Sequence, residues 1–111
     1  ALQTVLRLDP AFMNGSADRA IGRWYFKVPR LFGGSNSRAE AHLRASLQYD
    51  EHSTISRFFL AEVLLDEGRA ADARAELQRV IDAPINPDWV PEDHDYKAKA
   101  SRLLDSLPSE R

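Results

Sequence analysis

The sequence contains no cysteine, which excludes a disulfide framework and any thiolate metal site. That absence suits a reducing cytoplasm and a periplasm held together by its core alone, so the compartment stays open between bacterial cytoplasm and periplasm. No run of apolar residues approaches the ~20 needed to cross a bilayer as a helix, and no charged n-region with an apolar h-region marks a signal peptide. The chain reads as soluble, without a membrane span. It starts at Ala1 rather than at methionine, which leads us to expect an upstream segment able to carry an address. Catalytic signatures are missing as well: there is no nucleophile elbow, no His-Glu-x-x-His, and no P-loop lysine after the Gly33-Gly34-Ser35 triplet. His42, His52 and His94 are scattered, with no partner shared between them. We therefore expect no enzyme, no cofactor and no metal. Lysine is scarce beside arginine, and no basic run with interleaved aromatics appears, which argues against a nucleic-acid partner.

What is present is a chain of 111 residues, enough for one domain that buries roughly two thirds of its unfolded surface. Its charge is uneven. Residues 1–38 hold Arg7, Arg19, Arg23, Lys27, Arg30 and Arg38 against Asp9 and Asp18, a formal +4, so the remainder is −6 within the overall −2. Such asymmetry fits either an anionic partner or two parts that face each other within one fold.

Periodicity predicts helices almost throughout and no strand. Residues 37–50 put Ala39, Leu43 and Leu47 on one face, with Ala45 and Tyr49 alongside, and Ser37 with Glu40 forms a capping box at the start. Residues 55–69 carry Ile55, Phe58, Phe59, Val63 and Leu65 and end at Gly68, a left-handed C-cap. A further stripe through Ala73, Leu77, Val80 and Ile81 runs to Pro84, and the two segments make a helical hairpin. With the proline-rich turn at 84–93, a last helix from about Glu92 to Leu107 aligns Tyr96, Ala100, Leu103, Leu104 and Leu107. With Trp89 it is expected to cover the open side of that hairpin.

Self-similarity organises these helices. Ala39, Leu43 and Leu47 recur as Ala73, Leu77 and Ile81, each 34 residues later. With Gly22 and Ala61 at the small packing position, Tyr25 and Leu64 at the large position three residues on, and Ala39 and Ala73 near the start of the second helix, the chain resembles the tetratricopeptide repeat family. The resemblance implies an all-α fold of helical hairpins stacked as a short right-handed solenoid of about six helices. On this register 1–9 is the end of a preceding repeat, 16–50 a repeat with a long inter-helix turn, 53–83 a second repeat and 92–107 a capping helix, together one domain over 1–111. The exposed face of Leu2, Val5 and Leu6 is then expected to drive self-association. Arg57 departs from the pattern, standing where a tryptophan is common. The words "GRWYFKVP", "GGS", "AEAHL" and "PDWVPED" are also similar to bacterial envelope tetratricopeptide proteins related to the T component of some substrate-uptake transporters, and more distantly to the regulator of microtubule dynamics proteins. The first kinship implies a periplasmic or lipoprotein setting and a role beside a solute-binding protein.

Gly22 to Ala61 spans 39 residues where the period is 34, so five extra residues fall between Tyr25 and Ala39, inside the turn at 27–36. Two readings of its "FGGSNS" segment stand: glycines supplying positive φ with Ser37 as the helix cap, or a backbone nest for phosphate or carboxylate flanked by Arg30 and Arg38. Glu92 to Asp95 are acidic residues that either attract a cation or stabilise the dipole of the last helix.

In the resembled family the first helices of successive repeats line a concave groove. By that resemblance Arg19, Arg23, Phe26 and Lys27 from one helix, and Phe58, Glu62, Leu65 and Asp66 from the next, are the candidate partner-binding residues. Arg19, Arg23 and Lys27 recur every four residues and share a face in any register. The alternative is plain ion pairing of Arg23 with Glu62 and of Lys27 with Asp66. The expected function is a non-catalytic scaffold that captures a protein or peptide segment; its rival is an envelope solute-handling accessory of a transporter, binding a small anionic ligand.

Overall fold

A computed structural model of the chain describes residues 16–108. The half repeat at 1–9, with Leu2, Val5 and Leu6, lies outside the described residues. Among the described residues five α-helices follow one another: α1 (Ser16–Lys27), α2 (Asn36–Tyr49), α3 (Thr54–Asp66), α4 (Ala70–Asp82) and α5 (Val90–Ser106), with a 3-10 turn at Arg30–Phe32. There is no strand among the described residues. The fold is all-α, built of sequential antiparallel pairs, as the periodicity predicts. The described residues fall into two compact units that divide between Glu51 and His52.

The first unit is the α1–α2 hairpin. Ala17 and Ile21 of α1 meet Ala39 and Leu43 of α2 in its core. Gly22 makes the close approach possible: a Cβ there would stand 2.9 Å from Leu43 Cγ and 3.1 Å from the Ala39 carbonyl oxygen. The small packing position is thus used as the repeat pattern requires. The start of α2 differs from expectation by two residues. Ser35, not Ser37, is the N-cap, and its Oγ accepts the Arg38 amide at 3.2 Å. Ser37 already lies inside the helix, because the turn before it closes earlier than the capping-box reading assumes.

The second unit is the α3–α4 hairpin with α5 packed on both of its helices. Ser53 caps α3 by accepting the Ser56 amide. The exit of α3 is a full Schellman motif. Gly68 takes φ +77°, its amide donates to the Leu65 carbonyl, and the Arg69 amide donates to the Leu64 carbonyl. The core consists of Leu60, Ala61, Val63, Leu64, Ala73, Leu77, Val80 and Ala100. On α3 this is a correction. Of the five residues in the expected stripe, Val63 alone is fully buried, while Ile55, Phe58, Phe59 and Leu65 are half-buried. A helix that packs on two neighbours buries a wider arc than a single stripe, and the arc of α3 is centred on Leu60 and Leu64.

The α5 helix is held to α3 by Tyr96 and to the end of α4 by Lys97. Tyr96 receives Phe58 and Phe59 edge-on at 5.5 and 6.0 Å between ring centroids. The Lys97 ammonium donates to the carbonyls of Val80 and Ile81, at 2.8 and 2.7 Å, and to that of Ala83, which satisfies acceptors left open at the C-terminus of α4. Trp89 precedes the first helical turn and stays more than a third exposed.

Candidate functional site

The five inserted residues can now be located. Eight residues, 28–35, connect α1 to α2, whereas three, 67–69, connect α3 to α4. The longer connection is closed by its own backbone. The Val28 amide donates to Trp24, Phe32 and Gly34 donate to the Pro29 carbonyl, Gly33 donates to Arg30, and Ser35 donates to Tyr25, all at 2.9–3.1 Å. The anion-nest reading is thereby corrected: amides at 32–35 are consumed inside the turn and do not converge on an empty site. The two glycines have different jobs. Gly33 supplies a left-handed φ of +102°, while Gly34 is required by space, since a Cβ on it would fall 1.7 Å from the Val28 carbonyl oxygen.

Folding the turn this way leaves its apolar residues outside. Leu31 is 86% and Phe32 70% exposed, beside Trp24 at 50%. Tyr25, in contrast, is drawn inward. Its ring meets Trp24 edge-on at 5.1 Å, stacks on His42 at 5.6 Å, and carries the Arg38 guanidinium at 5.8 Å.

The histidines share no partner in the sequence, and the structure gives His42 one of its own. Its Nδ1 donates to Oδ1 of the buried Asp18 at 2.8 Å, tying α2 to α1. A comparable link joins α3 to α4 at Arg57. This is the residue that departs from the repeat pattern, and its Nη1 donates to both oxygens of buried Glu76 at 2.9 and 3.3 Å. Arg79 adds a third bond to Glu76 at 2.8 Å. No sequence signal marked either link, because each pairs residues about 20 positions apart whose facing is set by helix packing.

The candidate partner-binding residues divide between the units. In the first, Arg19, Arg23 and Phe26 are half-buried and Lys27 is exposed. Arg23 and Lys27 both stand 5.7 Å from the Phe26 ring centroid, so the stripe gathers two cations around one ring. In the second unit Phe58, Glu62 and Leu65 are half-buried and Asp66 is exposed. The Phe58 ring also serves the scaffold through Tyr96. In this unit His52, Arg57, Arg79, Asp82, Ala83 and Pro84 line an open depression of about 260 Å³.

The acidic cluster at 92–95 works differently from a simple helix-dipole face. Asp93 is buried, accepting Thr54 Oγ1 at 2.7 Å and the Asn86 amide at 2.8 Å, so it ties α5 to the start of α3 and to the proline-rich turn. Asp95 pairs with Lys99 at 2.9 Å, and that hydrogen bond holds the exposed Lys99 ammonium above its ordinary pKa. No group of three metal-ligating side chains occurs among the described residues, and no helix among them is long and apolar enough to cross a membrane.

The family described as TRAP transporter T-component matches the chain over residues 1–106. No curated protein and no solved structure matches it. A match spanning both units, together with tetratricopeptide-like hairpins whose small packing positions are Gly22 and Ala61, leads to one conclusion: the chain belongs to the TRAP transporter T-component family.

Proposed function

We propose that this chain is a non-catalytic accessory of a substrate-uptake transporter, acting through contact with the transporter's solute-binding component and with the small anionic solute that component carries. The observation that carries the reading is family membership over residues 1–106. The chemistry of the two units supports it. Helical hairpins braced by Asp18–His42 and Arg57–Glu76 hold their outer faces rigid, and a rigid face binds without a large ordering cost.

Two stripes are suited to the protein contact. On α1, Phe26 with Arg19, Arg23 and Lys27 offers an aromatic anchor ringed by positive charge; on α3, Phe58 and Leu65 with Glu62 and Asp66 offer an apolar anchor with negative charge. The anchors supply affinity and the charges orient the partner segment. For the solute, the depression at Arg57, Arg79 and His52 supplies guanidinium donors that suit a carboxylate or phosphate.

Co-purification tests the reading. The chain is immobilised and the solute-binding component of the same transporter is passed over it, with and without its solute. Retention that falls as salt is added is expected. No retention in either state overturns the proposal.

A further inference from the structure

We propose that the inserted turn between α1 and α2 is an interfacial anchor that seats the protein on an anionic lipid surface. The inference is independent of the transporter reading, because it rests on the turn alone.

Leu31 and Phe32 have the highest exposure of the large hydrophobic side chains in the described residues. They are neighbours in the 3-10 turn at Arg30–Phe32, and this turn has no counterpart between α3 and α4. Exposing such a pair to water is unfavourable, and the five-residue insertion serves no packing purpose that the second hairpin does not meet with three residues. Trp24 stands next to the pair, its ring edge beside Gly33, where a Cβ would come 3.6 Å from Cη2. A half-exposed indole with an apolar body and an N–H is the side chain best suited to the headgroup boundary.

Charge sets the identity of the surface. From Arg19 to Ala39 the sequence has five cations and no acidic residue. Of these, Lys27, Arg30 and Arg38 are exposed and flank the apolar pair. Aromatic and aliphatic tips set among lysine and arginine are the composition that binds anionic headgroups while inserting shallowly into the acyl boundary.

The backbone also favours insertion. Moving an open amide into a low dielectric is costly. Here the amides of Val28 and of Phe32 to Ser35 already donate within the connection and α1, and Pro29 has none to satisfy. The turn can therefore enter the boundary with most of its amides paired. A convex tip of two adjacent side chains fits a lipid surface, which needs no complementary pocket, better than it fits a protein groove.

The test is flotation of the full chain with vesicles of phosphatidylglycerol mixed with phosphatidylcholine, and with phosphatidylcholine alone. Binding to the anionic vesicles, weaker on the neutral ones and weakened by salt, is expected. Leu31→Ser with Phe32→Ser should lower the partition coefficient on the order of tenfold or more. Arg30→Glu should lower binding to anionic vesicles and leave the residual binding to neutral ones unchanged. Since all three side chains are exposed, helix content and melting temperature should not move, which separates lost binding from lost folding. No vesicle binding, or equal binding by the Leu31→Ser/Phe32→Ser variant, overturns the proposal. So does a result in which the unmutated chain ignores vesicles while the double variant loses self-association or retention on the solute-binding component; the patch is then a protein interface.

Discussion

His42 holds Asp18 across the first hairpin at 2.8 Å, and the matching positions in the second hairpin carry a like link with the acidic residue on the other helix. The repeat offset of 39 residues that takes Gly22 to Ala61 takes Asp18 to Arg57, and the offset of 34 that takes Ala39 to Ala73 takes His42 to Glu76. One packing position in each hairpin is therefore reserved for an inter-helix polar brace, acid on the first helix in one case and cation in the other. Removing one partner leaves the other buried. His42→Ala should cost about 1–3 kcal/mol by stranding the buried Asp18, measured by urea unfolding. A double-mutant cycle with Asp18→Ala should return a coupling of about 0.5–3 kcal/mol, and additivity within about 0.3 kcal/mol would show that the contact contributes nothing.

The Arg57–Glu76 brace makes a sharper prediction. Arg57→Ala leaves Glu76 with Arg79 alone, which is mostly exposed, and should destabilise the protein by about 1–3 kcal/mol. Replacing both members with apolar residues, Arg57→Met with Glu76→Leu, should recover most of that loss, because buried ion pairs are often matched by apolar packing. Chemical denaturation of the three variants checks the order.

Gly34 should tolerate no side chain. A Cβ overlapping the Val28 carbonyl at 1.7 Å cannot be accommodated without opening the turn. Gly34→Ala is expected to lower the melting temperature more than Gly33→Ala, whose Cβ would meet nothing closer than 3.6 Å and whose penalty is the positive φ alone, about 1 kcal/mol. Differential scanning calorimetry of both variants decides between them.

The α5 helix is scaffold by its contacts. Truncation after Asp82 removes Tyr96 from Phe58 and Phe59, Asp93 from Thr54 and Lys97 from the end of α4. A fall in melting temperature of several degrees or more is expected, at about 4–8 °C per kcal/mol in a domain of this size. A truncated chain equally stable and soluble would contradict the capping role.

Much of this fold is legible in the sequence because periodicity and turn chemistry are local. The 34-residue recurrence, Gly68 as a C-cap and the five-residue excess between Tyr25 and Ala39 each depend on spacing alone, and each corresponds to an observed feature. What escaped depends on facing. The Asp18–His42 and Arg57–Glu76 braces require knowing which side of each helix meets the other, and Asp93 reads as a solvated acidic residue until α5 is laid against Thr54. The cap of α2 falls at Ser35 because two serines, Ser35 and Ser37, flank Asn36 there, and the closure of the turn chooses among them. For the α1 and α3 stripes, sequence gives the spacing of Arg19, Arg23 and Lys27 on one face, while the role of that face is decided by binding.

Surface plasmon resonance of the chain against the transporter's solute-binding component tests the central claim most directly, comparing the unmutated protein with Arg23→Glu/Lys27→Glu at low and high salt. The account predicts saturable binding that weakens as salt screens charges over about 10 Å at 0.1 M, with the reversed stripe at least tenfold weaker, roughly the effect of 1.4 kcal/mol. Absence of saturable binding by the unmutated chain up to about 0.1 mM would contradict it.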